Sequence, residues 1–170
     1  MPFGALVLAL TLEILMVTPE ARIQQLKLTL PAAPKPVAKY KTALLVGNML
    51  YVSGHGPAKV DGKSVVAGRL GADLTLEQGK EAARGVGLAV LSTVRNSLGS
   101  LDRVKQLVKT LGMVNSTADF KDHPQVINGF SELMAEVFGE DAGVGTRSAV
   151  GMGSLPANIP VEVECVFEVK

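Results

Sequence analysis

The chain has 170 residues, of which 47% are hydrophobic and 19% charged, which predicts one domain whose charge-poor surface favours burial against copies of itself. A net charge of +1, no basic block and only five Phe and two Tyr argue against a protein that binds nucleic acid. The single cysteine, Cys165, excludes an internal disulfide and a multi-thiolate metal site, so we expect a cytoplasmic protein with no metal.

Residues 1–16 form an apolar extension with one charged residue, Glu13. The extension lacks the basic start and small-residue end of a signal peptide, and it is shorter than a membrane helix, so we expect no membrane association. Met16 is an alternative start, which would make the extension a start-site artefact; a docking helix or an anchor are the other interpretations. Residues 17–170 are predicted to form the single domain.

The first elements of this domain are a short helix and a hairpin. Thr18-Pro19-Glu20 predicts a helix start, with a hydroxyl cap, proline at the first position and an acid near the positive end. This helix should end before 31–40, where prolines favour an extended path. A hairpin is predicted over 44–52 around Gly47-Asn48, and Asp61-Gly62 predicts a second turn.

Two longer helices follow. Thr75 to Gln78 has the form of a capping box, and the apolar spacing behind it predicts a helix of about 20 residues that ends at Gly99. A second helix should begin near Pro124 and end at Gly139.

Two further segments bear on the sheet. Residues 103–115 fit a helix by apolar spacing and a strand by their Val, Thr and Gly content. Residues 161–169 alternate apolar and mainly acidic side chains, which predicts a strand with one face on the helices. Strands and helices in this order indicate an α+β domain with the helices on one sheet face.

Arg147 is the most informative polar residue. If 145–153 is a strand, Arg147 shares a face with Ala149 and Gly151, which leave room for a small ligand beside the guanidinium. The planar fork of Arg suits a carboxylate. The alternative is a structural ion pair with Glu162 or Glu164 on a neighbouring strand.

The remaining polar residues are ambiguous when taken singly. Tyr40 fits a surface aromatic, Asn128 a solvated position within a helix, and His123 a helix cap. The segment 53–56 is glycine-rich but is not followed by a helix start, so it does not match a phosphate loop. Two histidines and one cysteine give no zinc-binding spacing.

Taken together, the sequence resembles the YjgF/Rid family, the reactive intermediate deaminases also known as L-PSP endoribonucleases. The resemblance spans about residues 34–169, and its most specific part is the ending Arg147-Ser148, Leu155-Pro156 and Glu162-x-Glu164. The segments that match in family order are 47–54, the helix from Glu77, 98–104, 126–128, 146–150, 155–156 and 161–164. Residues 73–75 and 126–133 look closer to a distinct subgroup than to the best-studied deaminases.

The resemblance implies a fold and an activity. The fold is chorismate-mutase-like α+β, with a mixed sheet, two main helices on one face, a strand over 103–115, and a homotrimer with three inter-subunit clefts. The acidic sheet face would turn toward the trimer interior. Family members hydrolyse enamines and imines such as 2-aminoacrylate, released by pyridoxal-phosphate enzymes, to 2-keto acids and ammonia without metal or cofactor. The implied ligands are small 2-imino and 2-keto acids.

The family's functional positions match individual residues here. Arg147 matches the carboxylate-binding arginine and Glu162 the acid that positions the attacking water. The matching cleft positions are Tyr40, Ser53, Gly54 and Asn128. Two departures reshape the expected pocket: Ala149 stands where the studied deaminases often have Cys, and His55-Gly56 stands where Gln and an aliphatic residue are usual.

Two other functions compete with the deaminase hypothesis. A non-catalytic trimer that binds small carboxylates and regulates a partner would use the same arginine. The ribonuclease or translation-inhibitor activity attached to the family name is disfavoured by the near-zero net charge and the scarcity of aromatic residues.

Overall fold

The computed structural model describes residues 17–58 and 66–170, which form one five-stranded sheet with two long helices against one of its faces. This is the expected α+β architecture. The predictions for residues 1–16 and for the Asp61-Gly62 turn lie outside the described residues.

The sheet is mixed. Its strands in spatial order are β1 (Ala43–Val46), β2 (Met49–His55), β5 (Val161–Val169), β3 (Val104–Asn115) and β4 (Thr146–Met152). Neighbouring strands are antiparallel except for β3 and β4, which are parallel. The predicted hairpin joins β1 to β2, and Gly47 adopts the positive φ of +60° that a tight turn there requires.

The ambiguous segment 103–115 is a strand, as the family resemblance implied. Its helical spacing has a physical cause, since register shifts occur between Val104 and Gln106 and again between Leu107 and Lys109. Each irregularity adds a residue, so that Val104, Leu107 and Thr110 are all buried at a spacing of three. A bulged strand therefore produced the apolar period of a helix.

The helices are α1 (Pro19–Gln25), α2 (Leu76–Leu98), α3 (His123–Phe138) and α4 (Glu140–Gly143), with 3-10 turns at Leu101–Arg103 and Pro156–Asn158. The Thr18 hydroxyl caps α1, and the Thr75–Gln78 capping box begins α2, as predicted. Helix α2 ends before Gly99, whose φ is +82°. The cap of α3 is Asp122, so the prediction that His123 caps this helix was wrong.

The core lies between the sheet and helices α2 and α3. The odd-numbered residues of β5, Val161 to Val169, are all buried against the helices, as the alternation predicted. Helices α2 and α3 are in close contact at Gly129, where an added Cβ would strike the backbone carbonyl of Lys80.

Helix α1 is tied to the domain by Glu20. Its carboxylate accepts hydrogen bonds from Arg95 of α2 and from the backbone N–H of Leu101, and its own N–H donates to Asp102. The proline-containing segment 31–40 that follows forms neither helix nor strand. Within the described ranges, no helix is both long and apolar enough to cross a membrane.

Candidate functional site

Arg147 lies in β4 with its side chain directed at α3. Its Nη1 donates to Asn128 Oδ1 at 2.9 Å and to Ser131 Oγ at 3.0 Å. The alternative ion pair with Glu162 or Glu164 is absent from the described part of the chain. The guanidinium is exposed, and its remaining N–H groups can therefore receive a ligand.

Asn128 is thus a partner of the arginine rather than a freely solvated helix residue. Sequence reasoning missed Ser131, which lies on the same face of α3 one turn further along. The signal was the spacing of three between two polar residues of one helix, which places both on one side.

Glu162 lies in β5 on the other side of the sheet from Arg147. Arg147 pairs with Thr110 of β3, which also pairs with the buried Cys165, so all three point toward the helices. Glu162 pairs with Met113, three residues from Thr110, and therefore points to the opposite face. Among residues 17–58 and 66–170, no helix covers that opposite face, and we call it the open face.

The Glu162 carboxylate packs against Gly54 of β2, where an added Cβ would collide with Oε1. Partial burial raises the pKa of Glu162 above its ordinary value, and the neighbouring charge of Glu164 raises it further. A carboxylate with a raised pKa is a better proton acceptor than a fully solvated one.

Ser53 lies next to Gly54 in β2, and Tyr40 lies close to Ser53. The Ser53 hydroxyl donates to the backbone carbonyl of Lys41 at 2.6 Å, which holds the segment after Tyr40 beside β2. Tyr40 and Ser53 share a cleft of about 570 Å³ on the open face, and Tyr40 also lines a cavity of about 430 Å³ with Gly54.

The candidate residues therefore form two groups within one chain. Arg147 and Asn128 are hydrogen-bonded on the helix side of β4, and Ala149 lies beside them, half-buried against the core. Glu162, Gly54, Ser53 and Tyr40 lie around β2 and the open face. No contact in the described residues joins the two groups.

His55, one of the two departures from the family pattern, is buried on the helix side. Its Nδ1 lies 2.6 Å from the carbonyl oxygen of Ser53 and its Nε2 lies 2.8 Å from Thr93 Oγ1. Because a carbonyl only accepts, Nδ1 carries the proton and Nε2 accepts from the Thr93 hydroxyl. Burial lowers the pKa of His55, which keeps this tautomer neutral.

In the described parts of the chain, no group of three or more His, Cys, Asp or Glu side chains is arranged to hold a metal ion. The buried thiol of Cys165 faces the core, and burial raises its pKa. Among the candidate site residues, Arg147 supplies a guanidinium and Glu162 a carboxylate.

The chain is 43% identical to the protein called TCP17 of Trypanosoma cruzi over 87% of this chain and 92% of that protein. It is 25% identical to a 2-iminobutanoate/2-iminopropanoate deaminase of Dermatophagoides farinae, over 82% of this chain and 93% of the deaminase.

A solved structure of a protein of unknown function from Agrobacterium tumefaciens superposes with a TM-score of 0.81 at 38% identity, covering 89% of this chain and 92% of that one. Residues 20–167 match the model of the family described as "YjgF/chorismate_mutase-like, putative endoribonuclease". With this match across nearly the whole domain, together with the five-stranded sheet and its two helices, the chain belongs to the YjgF/Rid family.

Proposed function

We propose that this protein is a cofactor-independent deaminase that hydrolyses small 2-imino acids and their enamine tautomers to 2-keto acids and ammonia. We further propose that it works as a homotrimer with its sites between subunits. The observation that carries the proposal is the placement of Arg147 and Glu162 on opposite faces of one sheet. If both act on one substrate, they must come from different copies of the chain.

The open face supports this association. Its apolar side chains are uncovered in the single chain, with 46% of Leu44, 49% of Tyr51 and 40% of Val150 exposed. Apolar residues clustered on a sheet face without helices are typical of an interface. Burying them between copies would also place Glu162 and Gly54 of one subunit in an inter-subunit cleft.

Arg147 is suited to hold the substrate carboxylate. Asn128 and Ser131 both engage Nη1, which fixes the plane of the guanidinium while other N–H groups stay available. A pre-oriented fork loses less rotational freedom when it binds a carboxylate. The imine carbon next to that carboxylate would then lie at a fixed distance from the neighbouring subunit.

Glu162 would act on water at that carbon. The carboxylate accepts one proton as the water oxygen bonds to C2 of the protonated imine, which gives a neutral tetrahedral amino alcohol. That proton then passes to the nitrogen and makes it a leaving group. The C–N bond breaks to release ammonia, and the carboxylate accepts the remaining hydroxyl proton as C2 becomes a carbonyl. An enamine follows the same reaction steps after a proton is added to its terminal carbon.

A first experiment tests catalysis. A threonine dehydratase releases the enamine and imine of 2-oxobutanoate, and addition of this protein should speed keto-acid formation without changing the final yield. Arg147→Ala and Glu162→Gln should each abolish the acceleration. Binding of 2-oxobutanoate without acceleration would instead support the non-catalytic carboxylate binder and overturn the deaminase proposal.

A second experiment tests whether the site is shared. The Arg147→Ala and Glu162→Gln variants are unfolded together in denaturant and refolded as an equal mixture. In a cyclic trimer each cleft then has about one chance in four of combining an intact Arg147 with an intact Glu162, so about a quarter of wild-type activity should return. No recovery in refolded mixed trimers would show that both residues act from the same chain.

A further inference from the structure

A second polar cavity lies further along β4 from Arg147. It has a volume of about 410 Å³, and the side chains of Arg69, Ser116, Phe120 and His123 line it beside Gly151. Gly151 is four residues beyond Arg147 on the same face of the strand, a separation of about 13 Å. A small imino acid bound by Arg147 would not reach this cavity.

The guanidinium of Arg69 is only partly used by the fold. Its Nη2 donates to the backbone carbonyl of Ser116 at 2.5 Å, which ties the segment around Arg69 to the end of β3. Its Nε is buried and has no hydrogen-bond partner among the described residues. Buried donors are nearly always paired in native proteins, so the unpaired Nε–H shows that the fold does not use all the donors of this guanidinium.

Ser116 and His123 supply two more polar groups on the other side of the cavity. Ser116 Oγ lies 3.1 Å from His123 Nε2, and the imidazole packs edge-on against the Phe120 ring with centroids 5.3 Å apart. A Cβ at Gly151 would lie 2.5 Å from His123 Nε2 and 3.0 Å from Ser116 Oγ. The absence of a side chain there is therefore what admits the imidazole and the hydroxyl to the strand.

The charges around the cavity have one sign. Arg69 is cationic, Ser116 and His123 can donate hydrogen bonds, and none of the described lining residues is acidic. His123 also begins the 16-residue helix α3, whose amino-terminal end carries partial positive charge. These groups suit an anion with several acceptor oxygens.

We propose that this cavity is an oxyanion-binding site, in which the guanidinium of Arg69 and the Ser116 hydroxyl hold a carboxylate or phosphate group. The Phe120 ring forms an apolar wall for the organic part of the ligand. The site is independent of the deaminase proposal, because its ligand would not touch Arg147 or Glu162.

The test uses the Arg147→Ala protein, in which the proposed substrate site has lost its carboxylate anchor. Inorganic phosphate and 2-oxobutanoate are titrated separately by calorimetry, and saturable millimolar binding of either one is expected. Ser116→Ala should weaken that binding by about tenfold, because it removes one of the two proposed donors. Within the described ranges the hydrogen bond of Ser116 Oγ is to His123 Nε2, so its loss should not unfold the chain. Lys121→Gln, an exposed cation two residues before His123, is the matched control and should bind normally.

Arg69→Gln is a second variant, but it also removes the bond to the Ser116 carbonyl, so its melting temperature must be measured alongside. Binding of phosphate alone would identify a phosphate ligand, and binding of 2-oxobutanoate alone a carboxylate; either supports the proposal. Absence of saturable binding for both probes, or equal affinity in the Ser116→Ala protein, would overturn it.

Discussion

Replacing Gly54 with alanine tests the role of Glu162 without touching its carboxylate chemically. An added Cβ would overlap Oε1 of Glu162 and lie 2.9 Å from Cδ and 3.2 Å from Cγ, so the carboxylate must rotate away. Gly54 is not among the residues with positive φ, and alanine therefore fits its backbone. The substitution moves one functional group and leaves the strand as it is.

The expected magnitudes differ for activity and stability. Displacing a positioned catalytic group by about an ångström costs roughly 10²-fold in rate, so we expect a loss of that order. Alanine in a strand is about 0.5–1 kcal/mol more favourable than glycine, which offsets part of the cost of moving a half-buried carboxylate. The free energy of unfolding should therefore change by no more than about 1 kcal/mol.

The assay is keto-acid formation from dehydratase-generated imine, with denaturant unfolding measured on the same preparations. Gly85→Ala is the matched control, because a Cβ there would meet its nearest neighbour, the Ala58 carbonyl oxygen, at an ordinary 3.5 Å. It should keep full activity and gain about 0.5–1 kcal/mol in helix α2. If the Gly54→Ala and Glu162→Gln proteins both keep their activity within about twofold of wild type, Glu162 does not position the water.

Three further substitutions test other parts of the structure. Glu162→Gln should raise the melting temperature at neutral pH. The pKa of Glu162 is raised above its ordinary value of 4.5, so the glutamate lowers the stability of the fold as pH rises above 4.5. The gain should therefore vanish below about pH 4.5, and a gain that does not depend on pH would contradict this. Gly129→Ala should cost about 2–4 kcal/mol in denaturant unfolding because its Cβ would strike the Lys80 carbonyl; a neutral effect would mean that α3 can shift freely. Glu20→Ala should cost about 1–2 kcal/mol by freeing Arg95 and detaching α1, visible as faster proteolysis near residue 25, and unchanged proteolysis would refute the tether.

The local elements were predictable because their signals are local. The hairpin at Gly47, the capping box at Thr75 and the alternation of β5 each depend on residues within one element. The bulged strand β3 was not predictable from spacing, since two register irregularities gave buried residues at a spacing of three. There the family resemblance gave the correct structure and the periodicity alone did not.

The candidate residues could be named from the sequence, but their arrangement in the sheet could not be predicted from it. Nothing in the sequence states which strands are neighbours, and only the pairing of Thr110 with both Arg147 and Cys165 places the arginine on the helix side. The same pairing excludes the ion pair between Arg147 and Glu162 or Glu164, because those carboxylates point to the open face. Sheet register is a tertiary property, and one residue of shift would reverse every face.

The position of His55 changes how its departure from the family pattern should be interpreted. Its ring lies on the helix side of β2, whereas Gly54 faces the Glu162 carboxylate, and His55 also lines the cavity of about 430 Å³ that Tyr40 and Gly54 share. It acts on the wall of that site through the Ser53 carbonyl, which its Nδ1–H holds while Thr93 of α2 holds the other nitrogen. Burial favours the neutral imidazole, in which Nδ1 donates to the Ser53 carbonyl and Nε2 accepts from the Thr93 hydroxyl. Substrate preference in this chain should therefore depend on both departures from the family pattern, on Ala149 beside Arg147 and on His55 at the cavity that Tyr40 and Gly54 share.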